Sequence, residues 1–176
     1  MLRSTSVLLL LVLSAPAWAG HPAPEPAQPP YVPDSGSLEI RCGALIDGIS
    51  DQVRHGVTVV MENGRITGVK ETTGAATGLP LLDLSDHTCL PGLIEMHAHV
   101  LESFEELVDL TLYYGYSLDD YLEKGRDYAR ISLDAGFTTM RDLGAYYGWA
   151  DRLLRDEINR GEASGPRLQA SGFYLT

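Results

Sequence analysis

The sequence predicts an α/β fold in which a small β module, residues 38–90, precedes the start of a TIM-like (β/α)8 barrel, residues 91–176. Two observations predict this order. Short strand patterns fill the first part and include the hairpin signal Asn63-Gly64, whereas strand and helix patterns alternate in the second part. Because alternating strands and helices favour parallel strands joined by right-handed crossovers, we expect about three strands of a barrel.

The first 19 residues have the pattern of a cleaved signal peptide. Arg3 supplies a positive charge, an apolar core runs from Val7 to Leu13, and Ala17-Trp18-Ala19 is a small-X-small cleavage pattern. This core is shorter than the about 20 residues that span a bilayer. We therefore expect export, to the periplasm or out of the cell, without a stable membrane anchor; an uncleaved anchor is the alternative.

Residues 20–37 are predicted to be a proline-rich linker. The segment holds six of the ten prolines and few apolar side chains. Such a composition buries too little surface to offset the entropy that is lost on ordering. We therefore expect an extended segment between the signal peptide and the β module.

The composition excludes one class of partner. Asp and Glu number 24 against 13 Lys and Arg, which gives a formal net charge of −11. Nucleic-acid binding requires a basic face, so no nucleic-acid partner is expected. The sequence also contains no glycine-rich phosphate loop.

The β module is predicted from short alternating runs that are separated by turn residues. Asn63-Gly64 is typical of a two-residue type I′ hairpin, and Asp47-Gly48 marks another turn. Asp51, His55 and His87 are interpreted as surface residues. The predicted strands are Leu38–Cys42, Val57–Glu62, Arg65–Val69, Leu81–Leu84 and His87–Leu90.

Both cysteines, Cys42 and Cys89, fall in the β module. In an exported protein they could form a disulfide. The geometry of a disulfide is demanding, however, and the pairing of the strands is not evident from the sequence. Two separate buried thiols are therefore the favoured interpretation, and the bridge is the alternative.

The later segment alternates helices and strands. A short helix is predicted over Leu101–Val108, and a clearer one runs from the N-cap Ser117 to Gly136. A second clear helix is predicted over Trp149–Asn159, with Gly161 as its C′ residue. The strands beside these helices are predicted at Leu93–His99, Phe137–Met140 and Arg167–Tyr174.

Two histidines, His97 and His99, end the first strand of this segment. Successive side chains of a strand alternate between faces, so both imidazoles point the same way and could share one cation. Histidine suits zinc, iron, nickel or copper, and a catalytic metal needs about three protein ligands. The spacing alone favours a solvated strand face or hydrogen-bonded core histidines over metal binding.

The context of these histidines resembles the amidohydrolase superfamily. PGLIEMHAH, residues 91–99, is similar to the segment PGLID-x-H-x-H that opens the barrel in that family. Residues 44–48, 59–69 and 83–92 (ALIDG, VVMENGRITGV and DLSDHTCLPG) resemble part of the β-sandwich that the family builds from the segments before and after its barrel. GFTTMRDLG (136–144) and SGPRLQASG (164–172) resemble the imidazolonepropionase-like and Xaa-Pro dipeptidase branch, and the resemblance covers residues 38–176.

The resemblance implies a metal-dependent hydrolase of C–N bonds in amides, cyclic amides or dipeptides. The complete enzyme would hold one or two divalent ions, expected to be zinc, and His97 and His99 would be ligands of one ion. The ion would activate a water molecule. Small-molecule or dipeptide substrates and a homo-oligomer of the complete protein are implied as well. Glu95 stands where the family usually has aspartate; we do not expect this change to move the ligands, although its effect on the residues around them is open.

The family's remaining ligands and its catalytic base are not found in this sequence. They are a carboxylated lysine, two more histidines and an aspartate, but no histidine follows His99 and the only later lysine, Lys124, lies in a predicted helix. We therefore expect the catalytic residues beyond residue 176 and an N-terminal part that is inactive alone. The alternatives are a non-catalytic truncated or degenerate chain that binds a metal or a partner protein, and an unstable fragment without function.

Two further groups of side chains have open interpretations. Arg141-Asp142 could orient a ligand or a substrate carboxylate, although an internal salt bridge is favoured. Five tyrosines could line a pocket over the barrel mouth, but packing and surface exposure are favoured, as is usual for aromatic side chains in helices and loops. They are Tyr113, Tyr114, Tyr116, Tyr146 and Tyr147.

Overall fold

The computed structural model describes residues 36–72, 78–103, 108–109, 111 and 115–173. The predicted signal peptide, most of the predicted linker and the middle of the predicted helix Leu101–Val108 lie outside these residues. In the ranges that are described, no helix is long and apolar enough to cross a bilayer.

The β module is one mixed four-stranded sheet with the order β3-β2-β1-β4. β1 runs antiparallel to β2 and parallel to β4, and β2 pairs antiparallel with β3. The predicted β-sandwich is not confirmed, because the described residues of the module form a single sheet. The strands are β1 (Leu38–Leu45), β2 (Arg54–Glu62), β3 (Arg65–Glu71) and β4 (Leu81–Cys89).

The hairpin between β2 and β3 is confirmed. Its two turn residues, Asn63 and Gly64, have φ angles of 52° and 70°, as a type I′ turn requires. Asparagine and glycine tolerate positive φ better than other residues, so this turn is encoded locally.

β4 differs from its prediction as two strands. It is one strand that bulges where it passes Gly43 of β1, and the register shifts between Cys42 and Ala44. A Cβ atom at Gly43 would lie 2.2 Å from the carbonyl oxygen of Ser85. Because Gly43 has no Cβ atom, the backbone of β4 can approach it closely. This contact joins residues distant in sequence, so no local pattern predicts it.

A disulfide joins Cys42 and Cys89, with their Cα atoms 5.9 Å apart. The expectation of two separate thiols was therefore wrong. β1 and β4 pair in parallel, with Cys42 opposite Leu84 and Leu45 opposite Cys89, so both cysteines lie on neighbouring strands. The bridge thus depends on a strand pairing between residues more than forty positions apart in the chain.

The faces of this sheet differ in polarity. On one face Lys70 Nζ lies 2.8 Å from Glu39 Oε1, and Arg41 Nη1 lies 3.1 Å from Asp83 Oδ2. The opposite face carries apolar side chains in register across all four strands, some of them substantially exposed. One such row is formed by Ile40, Val59, Val69 and Leu82.

The later segment forms a fully parallel three-stranded sheet with the order β5-β6-β7. The expected parallel strands with intervening helices are therefore confirmed. The helices pack against each other and contact β6 and β7. The elements are β5 (Leu93–Ala98), α1 (Leu118–Asp134), β6 (Phe137–Asp142), α2 (Ala150–Asn159) and β7 (Arg167–Gln169).

The core of this segment lies between the parallel sheet and the two helices. Ala98, Met140 and Leu168 bury one side chain from each strand against the helices. The residues beside them on β6 and β7, Arg141 and Gln169, are exposed on the other face. The helices contribute Tyr121, Leu122, Ala129, Ala150, Leu154 and Ile158.

α2 and β7 match their predictions in place but not in full extent. Helix α2 is followed by Gly161 with a φ of 72°, as predicted for a C′ glycine. β7 ends at Gln169, five residues before the predicted end at Tyr174. Farther along, Phe173 pairs with Ala145 only through an isolated parallel bridge.

The first turn of α1 is fixed by a reciprocal cap. Ser117 Oγ accepts a hydrogen bond from the backbone N–H of Asp120 at 3.2 Å, and Asp120 Oδ2 accepts from the backbone N–H of Ser117 at 2.8 Å. The side-chain and backbone hydrogen bonds from Ser117 lower the pKa of Asp120. A lowered folded-state pKa stabilises the fold above the unfolded value, and this contribution is lost as the pH falls through the folded-state pKa.

Replacing Ser117 by alanine is expected to lower the free energy of unfolding by about 1 kcal/mol, the usual value of an N-cap. Urea unfolding followed by circular dichroism measures the change. Ser132→Ala is the matched control, since the Ser132 hydroxyl donates to the carbonyl of Tyr128 inside the helix and adds little stability. Equal losses in both variants would contradict the assigned cap.

Candidate metal site at the ends of the parallel strands

His97 and His99 lie at the carboxyl end of β5, on the face opposite the helices. Ala98 between them is only 8% exposed and packs into the core, whereas His97 is exposed and His99 is half-buried. The ring centroids of the two histidines are 5.7 Å apart. The predicted arrangement, two imidazoles on one side of a strand, is therefore observed.

The imidazole of His99 is held by the loop after β6. Its Nδ1 lies 3.0 Å from the carbonyl oxygen of Gly144, which can only accept a hydrogen bond. Nδ1 must therefore carry the proton in this contact, which assigns the lone pair of the neutral ring to Nε2. Metal-binding histidines commonly hold their second nitrogen in this way.

The backbone beside His97 is held by Glu95. The Oε1 atom of Glu95 accepts a hydrogen bond of 2.9 Å from the backbone N–H of His97. Both side chains belong to the same face of β5, two residues apart. The glutamate that replaces the family's usual aspartate therefore contacts the strand next to the candidate ligand.

Asp142, the last residue of β6, is a buried acidic group at this end of the sheet. It is 1% exposed, and it accepts hydrogen bonds from the backbone N–H groups of Val100 at 2.7 Å and Gly144 at 2.9 Å. Burial raises its pKa to about 6; the two backbone hydrogen bonds oppose the shift, and the carboxylate of Asp151 adds to it.

The prediction of a salt bridge between Arg141 and Asp142 is wrong. Arg141 donates from Nε to the carbonyl oxygen of Met96 at 2.9 Å, and Asp142 accepts from two backbone N–H groups. Adjacent residues of a strand point to opposite faces, so Arg141 is exposed while Asp142 is buried. Each side chain instead contacts the backbone at the end of β5.

Of the five tyrosines that could line a pocket, Tyr116 and Tyr147 pack against the buried Tyr121. Both centroid distances are 5.6 Å. Tyr146 is 43% exposed. Tyr113 and Tyr114 lie outside the described residues.

Two histidines are the extent of the candidate site in the part of the chain that the structure describes. No group of three or more His, Cys, Asp or Glu side chains that could hold a metal ion is found there. The centroid distance of 5.7 Å is compatible with both rings reaching one ion through bonds of about 2.0–2.1 Å. A catalytic metal site needs about three protein ligands, so these two histidines alone would not complete one.

Sequence reasoning missed the backbone contacts of Asp142 and Asp151. Asp151 is fully buried and accepts a hydrogen bond of 2.7 Å from the backbone N–H of Gly172. A local signal existed for Asp142 alone, since Asp142-Leu143-Gly144 is typical of an aspartate that accepts from the N–H two residues on. The contacts of Asp142 with Val100 and of Asp151 with Gly172 connect segments that are distant in sequence.

No family model and no curated protein matches the chain. Among solved structures, a Xaa-Pro dipeptidase with bound methionine in the active site is similar, with 31% identity, a TM-score of 0.71, and coverage of 80% of this chain and 34% of that chain. An amidohydrolase is 27% identical, with a TM-score of 0.68 and coverage of 80% and 32%. A prolidase complexed with N-methylphosphonate-L-proline is 26% identical, with a TM-score of 0.67 and coverage of 78% and 32%.

This chain spans about a third of the length of the solved structures that it matches. Those structures are hydrolases that act on amide or peptide bonds. The resemblance to the amidohydrolase superfamily that the sequence indicates is thereby confirmed, since this chain is similar in structure to a Xaa-Pro dipeptidase, a prolidase and an amidohydrolase.

Proposed function

We propose that this chain is part of an exported, metal-dependent amidohydrolase that cleaves C–N bonds of amides, cyclic amides or dipeptides. The observation that carries the proposal is the placement of His97 and His99 on one face at the carboxyl end of a parallel strand. In α/β folds, the carboxyl ends of parallel strands are where active sites form.

The proposed architecture is the start of a (β/α)8 barrel. The three parallel strands have their helices on one face, and the other face carries the histidines and Arg141. In a closed barrel this other face would point inward. The proposal therefore assigns β5, β6 and β7 to the first part of the barrel wall.

The β module is proposed to be one layer of a β-sandwich. One face of its sheet is apolar, and Ile66 and Leu82 on that face are 65% and 47% exposed. A second layer packed there would remove these side chains from water. The family builds this sandwich from segments before and after its barrel, in keeping with this assignment.

The residues of this chain would bind and orient one divalent ion, with zinc proposed. A bound ion would supply an acidified water and polarise the scissile carbonyl group. His97 and His99 would each provide one nitrogen ligand, with the Nε2 atom of His99 assigned by the contact of Nδ1 with Gly144. The catalytic base and the remaining ligands are proposed to lie outside this chain.

A dipeptide is the first substrate to test. The neighbours include a Xaa-Pro dipeptidase with methionine bound in its active site and a prolidase complexed with N-methylphosphonate-L-proline. Dipeptides with a C-terminal proline, followed by cyclic amides, therefore form the substrate panel. The exposed guanidinium of Arg141 lies on the same face as the histidines and could bind a substrate carboxylate.

Export is supported by two independent features. The first 19 residues have the signal-peptide pattern, and the β module contains a disulfide. Disulfides persist in oxidising compartments and are rare in the cytosol. The proposed location is the periplasm or the exterior.

A zinc titration of the chain, followed through the imidazole signals of its five histidines by nitrogen-15 NMR, tests the metal site. His97 and His99 are expected to shift together at lower zinc concentration than His55 and His87, because their ring centroids lie 5.7 Å apart and the two rings are proposed to share an ion. Equal responses from all histidines, or no response from the pair, would contradict the proposal. The double variant His97→Ala/His99→Ala should lose the tighter binding, whereas the control His55→Ala should retain it.

A further inference from the structure

We propose that Asp142 is a positioning residue that fixes the orientation and the tautomer of His99. The inference rests on the proposed metal site, but it concerns a residue of β6 that does not itself touch the ion. It follows from a closed set of hydrogen bonds between the end of β5 and the loop after β6.

The first link joins Asp142 to the backbone directly after His99 and to the loop that faces the His99 ring. Its Oδ2 atom accepts from the N–H of Val100, the residue directly after His99, at 2.7 Å. Its Oδ1 atom accepts from the N–H of Gly144 at 2.9 Å. One buried carboxylate therefore holds both the backbone that carries His99 and the loop that faces its ring.

The second link runs from that loop to the imidazole. The carbonyl oxygen of Gly144 lies 3.0 Å from His99 Nδ1. Asp142 therefore accepts from the N–H of the same residue whose carbonyl oxygen orients the imidazole ring. A third bond, from the N–H of Leu143 to the carbonyl of Ala98 at 2.9 Å, completes the connection. Displacement of Gly144 would therefore remove the acceptor that keeps the proton on Nδ1.

A carboxylate suits this position because both of its oxygens accept. The two N–H groups of Val100 and Gly144 need one acceptor each. Asparagine has the same shape, but its amide nitrogen donates and so would face one of these N–H groups. Asp142→Asn should therefore break one of the two bonds while preserving the volume of the side chain.

The matched control is Asp151→Asn. Asp151 is also fully buried, it also accepts a backbone hydrogen bond, from Gly172 at 2.7 Å, and it lies in the same core at the start of α2. Its hydrogen bonds go to Gly172 and Arg152, not to Val100 or Gly144. Both variants should lose stability, but only Asp142→Asn should alter His99.

The test compares the tautomer of neutral His99 in the metal-free chain, read from the nitrogen-15 shifts of its ring. The wild-type chain and Asp151→Asn should show a proton on Nδ1, and Asp142→Asn should shift His99 toward the Nε2-protonated form. Zinc affinity should fall about tenfold to a hundredfold in Asp142→Asn, the range usual for partners that orient a metal ligand.

Three outcomes would overturn the inference. They are an Nε2-protonated His99 in the wild-type chain, an unchanged tautomer in Asp142→Asn, and an equal tautomer shift in Asp151→Asn. The first needs no variant, so the inference can fail even if Asp142→Asn does not fold. The tautomer is measured without metal, so it tests the role of Asp142 alone. A failure of zinc to bind the wild-type chain would contradict the proposed function but not the tautomer result.

Discussion

Replacing His97 by alanine is expected to abolish metal-dependent hydrolysis in an enzyme that contains this chain, with a loss well beyond about a hundredfold. The reason is that His97 and His99 are proposed to share one ion. Without His97, this chain would supply only the imidazole of His99, which would hold the ion poorly. Partners that only orient a ligand typically cost tenfold to a hundredfold, so a larger loss distinguishes a direct ligand.

The measurement is kcat/KM on C-terminal proline dipeptides, made together with the metal content of the purified protein. His55→Ala serves as the control, because His55 is an exposed histidine on β2 of the other sheet. It should leave both the activity and the metal content unchanged. Wild-type activity with an intact metal complement in His97→Ala would refute the assignment of His97 as a ligand.

Removing the disulfide is expected to lower the free energy of unfolding by about 4 kcal/mol at 25 °C. The bridge closes a loop across a sequence separation of 47, and the loss of chain entropy in the unfolded state scales with the logarithm of loop length. The variant to make is Cys42→Ala/Cys89→Ala, because Cys42 is fully buried and alanine introduces no unpaired polar group there.

Urea unfolding of the oxidised wild-type chain, the reduced wild-type chain and the double variant measures this loss. Reduction should reproduce most of the effect of the double variant, since both open the same loop. The double variant should itself be insensitive to a reducing agent. Equal unfolding midpoints for the oxidised and reduced wild-type chain would show that the bridge adds no stability.

The elements with strong local signals were predicted well from the sequence. The hairpin at Asn63-Gly64 depends on two residues that tolerate positive φ. The N-cap of α1, Ser117, could be predicted because its partner Asp120 lies three residues on. The face shared by His97 and His99 follows from the two-residue period of a strand. These features involve neighbours in sequence, so a local pattern contains them.

Local residue patterns were thus enough to predict the order of strands and helices, the parallel sheet and the pair of histidines at the end of β5. Three contacts could not be predicted in this way: the disulfide between Cys42 and Cys89, the bulge of β4 over Gly43, and the hydrogen bond from the backbone after His99 to Asp142, which does not pair with Arg141. The physical reason is the same in each case. These contacts join residues more than forty positions apart, and they exist only because strand pairing and burial of the core fix which distant backbones lie side by side.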